Sequence, residues 1–176
     1  MRDPVDWPTR DLVAHRADTT PDRTAMVAAD SGNAVTYREL DAAVDAVAAG
    51  LDRRIDAQDA TVATLLPTQP AVGTLLFATM RLGATLAPLN VELDAETLRT
   101  QLSAVDADLL VSGGSTASLA ADIEGYPMVS VDEDLSVATV TETATVEGST
   151  AVRSAELSRS DTQLVIFTSG TTSEPK

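Results

Sequence analysis

Between Thr61 and Val131 the chain alternates short runs that are apolar on both faces with longer stretches whose apolar residues recur at helical spacing. This alternation constrains the fold more than any other feature. Thr61 to Leu66 is an apolar strand ended by Pro67, and a helix follows from about Pro70, a favoured first-turn residue. That helix places Val72, Leu75, Leu76, Thr79 and Met80 on one face, with Gly83 as its cap. Ala84 to Leu89 reads as strand, and Asp94 caps a helix carrying Leu98, Leu102 and Val105. Asp108 to Ser112 is strand again, Ser115 to Ile123 helix, and Met128 to Val131 strand. Strands apolar on both faces and separated by helices predict an α/β fold, a mostly parallel sheet covered by helices on both sides.

The front of the chain adds smaller elements. A short helix is expected over Asp11 to Ala17, stopping before Thr20-Pro21, because the residue before proline disfavours the α region. Ala25 to Ala28 and Ala34 to Thr36 form short strands around the turn Asp30-Ser31-Gly32-Asn33. Thr36-Tyr37-Arg38-Glu39 has the form of a capping box. Behind it Leu40, Val44, Val47, Ala48, Leu51 and Ile55 share a helical face. Residues 132–160 are Thr-, Ser- and Glu-rich, with Val137 to Val140 and Thr143 to Val146 as weak strands in an irregular connection or hairpin. The organisation expected is an α/β unit over 1–131, that connection, and a strand with a loop over 161–176.

Charge restricts the partners. The net charge is −15 and the acids are spread along the chain. Nucleic acid and an anionic membrane surface both require a basic patch and are excluded as expected partners. A self-repelling surface rich in Asp and poor in Lys is tolerable where salt screens it, so a high-salt cytoplasm is expected, against an ordinary acidic domain. There is no cysteine, hence no disulfide or thiolate chemistry. No apolar signal region or bilayer-length run is present, which predicts a cytoplasmic protein.

The chain contains a single lysine, Lys176. It closes Gln163 to Thr168, an apolar strand, followed by Ser169-Gly170-Thr171-Thr172-Ser173-Glu174-Pro175. In an open α/β sheet, ligands bind beyond the carboxyl ends of the strands, where such a loop would emerge. Hydroxyls, turn amides and a compact ammonium together make an anion cradle, so the segment reads as a nucleotide-phosphate loop. An ordinary Ser/Thr/Gly/Pro surface turn has the same composition, and composition leaves the two readings level. The Gly-Lys-Ser/Thr arrangement of the P-loop is absent, which disfavours a kinase-like or GTPase-like enzyme.

Phe167-Thr168-Ser169-Gly170-Thr171-Thr172-Ser173-Glu174-Pro175-Lys176 resembles the signature loop of the adenylate-forming superfamily of acyl-CoA synthetases, luciferases and peptide-synthetase adenylation domains. Val35-Thr36-Tyr37-Arg38-Glu39-Leu40 resembles that family's helix-opening motif. Arg81-Leu82-Gly83-Ala84-Thr85-Leu86-Ala87-Pro88-Leu89-Asn90 resembles the motif near the end of its first helical layer. Ala14-His15-Arg16-Ala17 and Thr20-Pro21-Asp22-Arg23-Thr24-Ala25 are similar to its start, so the ordered set spans almost the whole chain. Ser173 departs from the pattern, standing where the family usually has glycine. If that position needs a positive φ, serine costs on the order of 1 kcal/mol.

The resemblance implies the N-terminal part of the family's large domain and an ATP-dependent acyl-CoA ligase as parent. A carboxylic acid and ATP, with Mg2+, would give an acyl-adenylate, and coenzyme A would then form the thioester. It assigns Thr168, Ser169, Gly170, Thr171, Thr172 and Lys176 to phosphate binding. No catalytic residue and no metal ligand are assigned, because the family places these after the loop; the 176-residue chain is expected to be inactive alone. The lead with Trp7, and Leu82-Gly83-Ala84 running to Leu89-Asn90, are most similar to o-succinylbenzoate–CoA ligases of menaquinone synthesis. Two alternatives stand beside this: an adenylation enzyme loading a carrier protein, and a non-catalytic truncated interaction module. His15, the pairs Asp106/Asp108 and Asp132/Asp134, and Tyr37 with Arg38 read as surface or helix-start residues.

Overall fold

The computed structural model describes residues 11–131 apart from 30 and 57, together with 155, 157 and 161–168. The opening with Trp7, the weak strands over 137–146, the Asp132/Asp134 pair and residues 169–176 lie outside the described residues.

Helix α1 (Leu12–Thr19) starts at Asp11, whose carboxylate accepts from the amides of Val13 and Ala14. It runs two residues further than the sequence suggests, to the edge of Thr20-Pro21. Strands β1 (Thr24–Val27) and β2 (Ala34–Thr36) form an antiparallel hairpin. Gly32, with φ +72°, turns that hairpin in the left-handed region glycine tolerates. Helix α2 (Tyr37–Asp52) opens on the expected capping box, with Thr36 and Glu39 satisfying each other's amides.

The main sheet contains β3 (Thr61–Leu65), β4 (Thr85–Pro88), β5 (Leu109–Ser112) and β6 (Met128–Ser130), in the order β4-β3-β5-β6. Every pairing is parallel, as the double-sided apolar runs require. Helix α3 (Pro70–Leu82) joins β3 to β4 and helix α4 (Ala95–Ala104) joins β4 to β5. Residues 115–123 form a 3₁₀ turn (Gly114–Thr116) and a short α5 (Ala117–Ala121), in place of the single helix expected there. The Thr116 hydroxyl is engaged outside the helix, donating to the Leu65 carbonyl at 2.6 Å, which holds the first turn tight.

Alternate residues of the strands feed two cores. Val62, Leu66, Leu86, Leu109, Val111 and Val129 pack with α2 and α3. Ala63, Leu65, Ala87, Leu89 and Leu110 pack with Leu98 and Leu102 of α4 and with Ala120 and Ile123. The buried residues of α3 are Thr74, Leu75, Ala78, Thr79, Arg81 and Leu82, while Val72, Leu76 and Met80 are half-buried. The expected face of α3 is therefore rotated, because the helix turns a charged residue inward.

That residue is Arg81, whose side chain is 3% exposed. Its Nε donates to Asp11 at 2.6 Å, Nη2 to Asp41 at 2.7 Å and Nη1 to Asp45. Burial alone would lower the Arg81 pKa; the hydrogen bonds and charge of Asp11, then of Asp41, outweigh it and hold the group above its ordinary value. The planar guanidinium can serve carboxylates on three sides, which an ammonium cannot do with the same geometry. One side chain thus ties the start of α1, the flank of α2 and the end of α3.

Replacing Arg81 with methionine would strand three carboxylates and is expected to lower the unfolding free energy by about 3–5 kcal/mol, read by urea denaturation. Arg81→Lys should recover only part of that loss, since the charge returns without the fork.

The capping box carries a pH signature. The Thr36 amide and then its hydroxyl hold the Glu39 carboxylate below its ordinary value of 4.5, against a small opposing effect of burial. A depressed carboxylate stabilises the fold above its unfolded pKa and loses that contribution as pH falls through the folded value. The stability difference between the native chain and Glu39→Ala should therefore be full at neutral pH and shrink below about pH 4.5. A difference that stays constant down to pH 3 would contradict this account.

Candidate functional site

The carboxyl ends of the parallel strands define the edge where a ligand belongs. From β3 the chain passes to β4 on one side, then returns past β3 to β5 on the other, so the order reverses between β3 and β5. At that switch point Thr116 donates to Leu65 and accepts from the Gly113 amide at 3.2 Å. The chain's own hydroxyl thus occupies the strand-end carbonyl in the crevice.

Residues 163–168, which lead into the expected phosphate segment, lie at the β4 edge of the sheet. Residues 163–168 meet β4 through a parallel bridge between Leu164 and Leu86. The Leu86 amide donates to Gln163 at 3.1 Å and the Val165 amide donates to Leu86 at 2.9 Å. The Thr85 hydroxyl adds a bond to the Thr162 carbonyl at 2.8 Å. Pairing is confined to this bridge, so the full strand expected over 163–168 is not formed among the described residues. Leu164 and Ile166 remain exposed, while Val165 and Phe167 pack against the core beside α4.

The alternation of exposed and half-buried residues from Gln163 to Thr168 is that of an extended strand. Its direction matches β4, which ends at Pro88, two residues past the bridged Leu86, whereas Thr168 is four residues past Leu164. At about 3.3 Å per residue, Thr168 stands roughly 7 Å beyond the end of β4. It is exposed there, on the carboxyl side of the sheet. Thr168 is thus the described member of the expected phosphate set; Ser169, Gly170, Thr171, Thr172 and Lys176 lie outside the described residues.

Two anchors of this segment were not legible in the sequence. Arg81 accepts from the Ala155 amide at 2.8 Å through its own carbonyl. Gly83 caps α3 with φ +78°, and a Cβ there would meet that of Ala155 at 3.1 Å. Only glycine combines that backbone angle with so close an approach. The side-chain amide of Gln163 is buried with both polar atoms unpartnered among the described residues, at the point where the segment joins the sheet. A glycine that both caps a helix and precedes a strand is a visible signal; what packs against it is not.

The remaining candidates are structural. His15 is exposed on α1. Asp108 accepts from the Thr61 amide at 2.8 Å, squaring off the start of β3. Arg38 pairs with Asp22 on the surface at 3.0 Å. Among the described residues, no group of three His, Cys, Asp or Glu could hold a metal, and no helix is long and apolar enough to cross a membrane.

The described fold is a parallel sheet with Thr168 exposed beyond its carboxyl edge, and comparison supplies the class. The chain belongs to the AMP-binding enzyme family, whose pattern matches residues 13–176, within the adenylate-forming superfamily. It is 29% identical over 172 residues, 94% of its length, to the medium/long-chain-fatty-acid–[acyl-carrier-protein] ligase FadD10 of Mycobacterium tuberculosis, covering 31% of that protein. It is 31% identical over 143 residues, 81% of its length, to the medium/long-chain-fatty-acid–CoA ligase FadD6 of the same species, covering 24% of it. The N-terminal subdomain of Klebsiella oxytoca NpsA superposes with a TM-score of 0.72 at 25% identity, over 94% of this chain and 40% of that one. The chain therefore spans a third or less of the two ligases and two-fifths of the solved subdomain.

Proposed function

We propose that the chain is the front of an ATP-dependent acyl-CoA ligase, which joins a carboxylic acid to ATP as an acyl-adenylate and passes the acyl group to coenzyme A. The observation that carries this reading is the parallel placement of 163–168 on β4, which delivers Thr168 beyond the carboxyl edge. Residues 1–131 are the α/β part of the AMP-binding domain, 132–160 a connection, and 161–176 the strand and phosphate loop.

In this reading Thr168, Ser169, Gly170, Thr171, Thr172 and Lys176 hold the phosphates of ATP. Their hydroxyl and ammonium donors suit anionic oxygens and would meet the charge that develops on departing pyrophosphate. Mg2+ neutralises phosphate charge when bound; the described residues offer no carboxylate group for it, and its ligands are assigned to the later part of the polypeptide. o-Succinylbenzoate is the first acid to test, from the likeness of the Trp7 lead and of Leu82 to Asn90 to ligases of that acid.

A second reading, a carrier-protein-loading adenylation enzyme, is favoured by the similarity to an acyl-carrier-protein ligase. Both readings share the first half-reaction and differ in the acceptor thiol. The full-length polypeptide should therefore catalyse acid-dependent exchange of pyrophosphate into ATP, and Lys176→Ala should slow it about 100-fold. Thioester formation with free coenzyme A supports the first reading; transfer only to a carrier's pantetheine thiol replaces it with the second. Absence of exchange with every acid in a broad panel would leave the non-catalytic module.

The acidic surface supports a high-salt cytoplasm as the working environment, since a net charge of −15 repels itself unless screened. The thermal midpoint of the chain should rise steadily from 0.1 M to molar KCl, by roughly 10 °C or more, corresponding to about 3–5 kcal/mol. A flat response would remove this reading.

A further inference from the structure

Two glutamines meet the core beside α4, where the neighbouring side chains of Ala87, Leu98, Leu102 and Val165 are apolar. Gln101 of α4 is only 5% exposed, and its Oε1 has no hydrogen-bond partner among the described residues. The side-chain amide of Gln163 is buried with neither Nε2 nor Oε1 partnered. Buried amides are almost always hydrogen-bonded, so three orphaned atoms on two side chains require an explanation. Both side chains face the same space. Gln163 lies two residues before Val165, which packs into the α4 cluster, and in an extended chain residues two apart share a face. Its carbonyl accepts from the Leu86 amide, so it stands level with the start of β4, at the amino edge of the sheet. Helix α4 returns from the end of β4 to the start of β5, which brings Gln101, in its last turn, over that same edge. The flank is fixed by Arg99, whose Nη2 donates to the Asp122 carbonyl at the end of α5 at 3.1 Å. Gln101 is two residues on, about 200° around the helix axis. It is therefore on the flank away from α5, where residues 163–168 run beside β4.

We propose that Gln101 and Gln163 are positioning residues, whose carboxamides form a reciprocal hydrogen-bonded pair that ties the last turn of α4 to the segment leading into the phosphate residues. Each amide carries one acceptor oxygen and two N–H donors. Gln163 Nε2 donating to Gln101 Oε1, with Gln101 Nε2 donating to Gln163 Oε1, serves all three orphaned atoms at once. The terminal torsion of glutamine is broad, so the two planes turn towards each other at little cost. Neighbouring hydroxyls do not compete. Thr97, on the same flank of α4, donates to Asp94 at 3.0 Å, and Thr85 donates to the Thr162 carbonyl at 2.8 Å. A polar pair in an apolar layer is satisfied in one register only, whereas apolar contacts such as Val165 against α4 tolerate sliding. Thr168 is five residues further along the same extended segment, about 16 Å away at 3.3 Å per residue, so its place depends on that register. The effect on ATP rests on the phosphate role proposed above for Thr168 and the residues after it; the amide pair itself does not.

A double-mutant cycle in the full-length polypeptide tests this, with methionine as an unbranched apolar replacement of similar length. Gln101→Met or Gln163→Met alone leaves a buried amide stranded, and each should lower the thermal midpoint by about 3 °C or more. The double variant removes both amides and should recover at least about half of the summed loss. In pyrophosphate exchange each single variant should raise KM for ATP about 10-fold with kcat changed less than about 2-fold. The double variant should keep the raised KM, because an apolar pair restores packing without fixing register. Since a substituted chain can fail to fold, the native polypeptide supplies a second reading: the side-chain amide protons of Gln101 and Gln163 should show a mutual nuclear Overhauser contact. Additive midpoint changes, no contact between the two amides, or a native KM in the single or double variants overturns the positioning pair. Coupled midpoints and an amide contact in a polypeptide that exchanges pyrophosphate with no acid would count against the proposed function and leave the pair standing.

Discussion

Arg81 is the point on which the helical layer depends. Taking a guanidinium out of water costs several kcal/mol, and only well-placed carboxylates offset it. Here they come from α1 and α2, contributed by Asp11, Asp41 and Asp45. The cluster is overbalanced by acid, and Asp41 and Asp45 keep 28% and 22% of their side-chain surface in solvent, where their excess charge is partly hydrated. Asp11 is shared: one oxygen caps α1 and the other receives Arg81. A buried ion pair is weak evidence of net stability, but it does fix direction, because each helix has only one rotation that satisfies the fork.

The consequence reaches the sheet. Arg81 is the penultimate residue of α3, and Gly83 reverses the chain into β4 just behind it. Residue 155 returns to the same spot, its amide bonded to the Arg81 carbonyl, and residues 162–165 then bind Thr85 and Leu86. The cluster that orients the helices and the strand that binds residues 162–165 are therefore joined within a few residues. At the strand reversal between β3 and β5 Thr116 donates to the Leu65 carbonyl, while residues 163–168 run beside β4 at the sheet edge.

Much of this was legible from residue order. The capping box at Thr36 and Glu39, the cap at Asp94, Pro70 opening α3 and Gly83 ending it are short-range devices, and each was formed where its residues stand. The parallel, double-faced sheet followed from strands without polar alternation. The face of α3 expected from its apolar spacing omits Arg81, because no local pattern marks an arginine for burial, whereas three distant aspartates draw it inside. The stretch over 163–168 reads as a full strand from its apolar run, yet among the described residues it pairs with β4 through one bridge. Of the candidate site, Thr168 alone could be placed; family membership then came from the ordered motifs and the match over 13–176.

The sequence by itself determined the kinds of elements, their caps and the family, because helical period, strand period and capping chemistry act over a few residues. Tertiary structure decided which acids receive Arg81, which side of β4 takes residues 163–168, and that Thr116 meets Leu65. Those choices join residues 36 to 77 positions apart, such as Asp45 with Arg81 and Thr85 with Thr162. No local periodicity encodes them; they follow from which arrangement leaves the fewest buried charges and backbone groups without a partner.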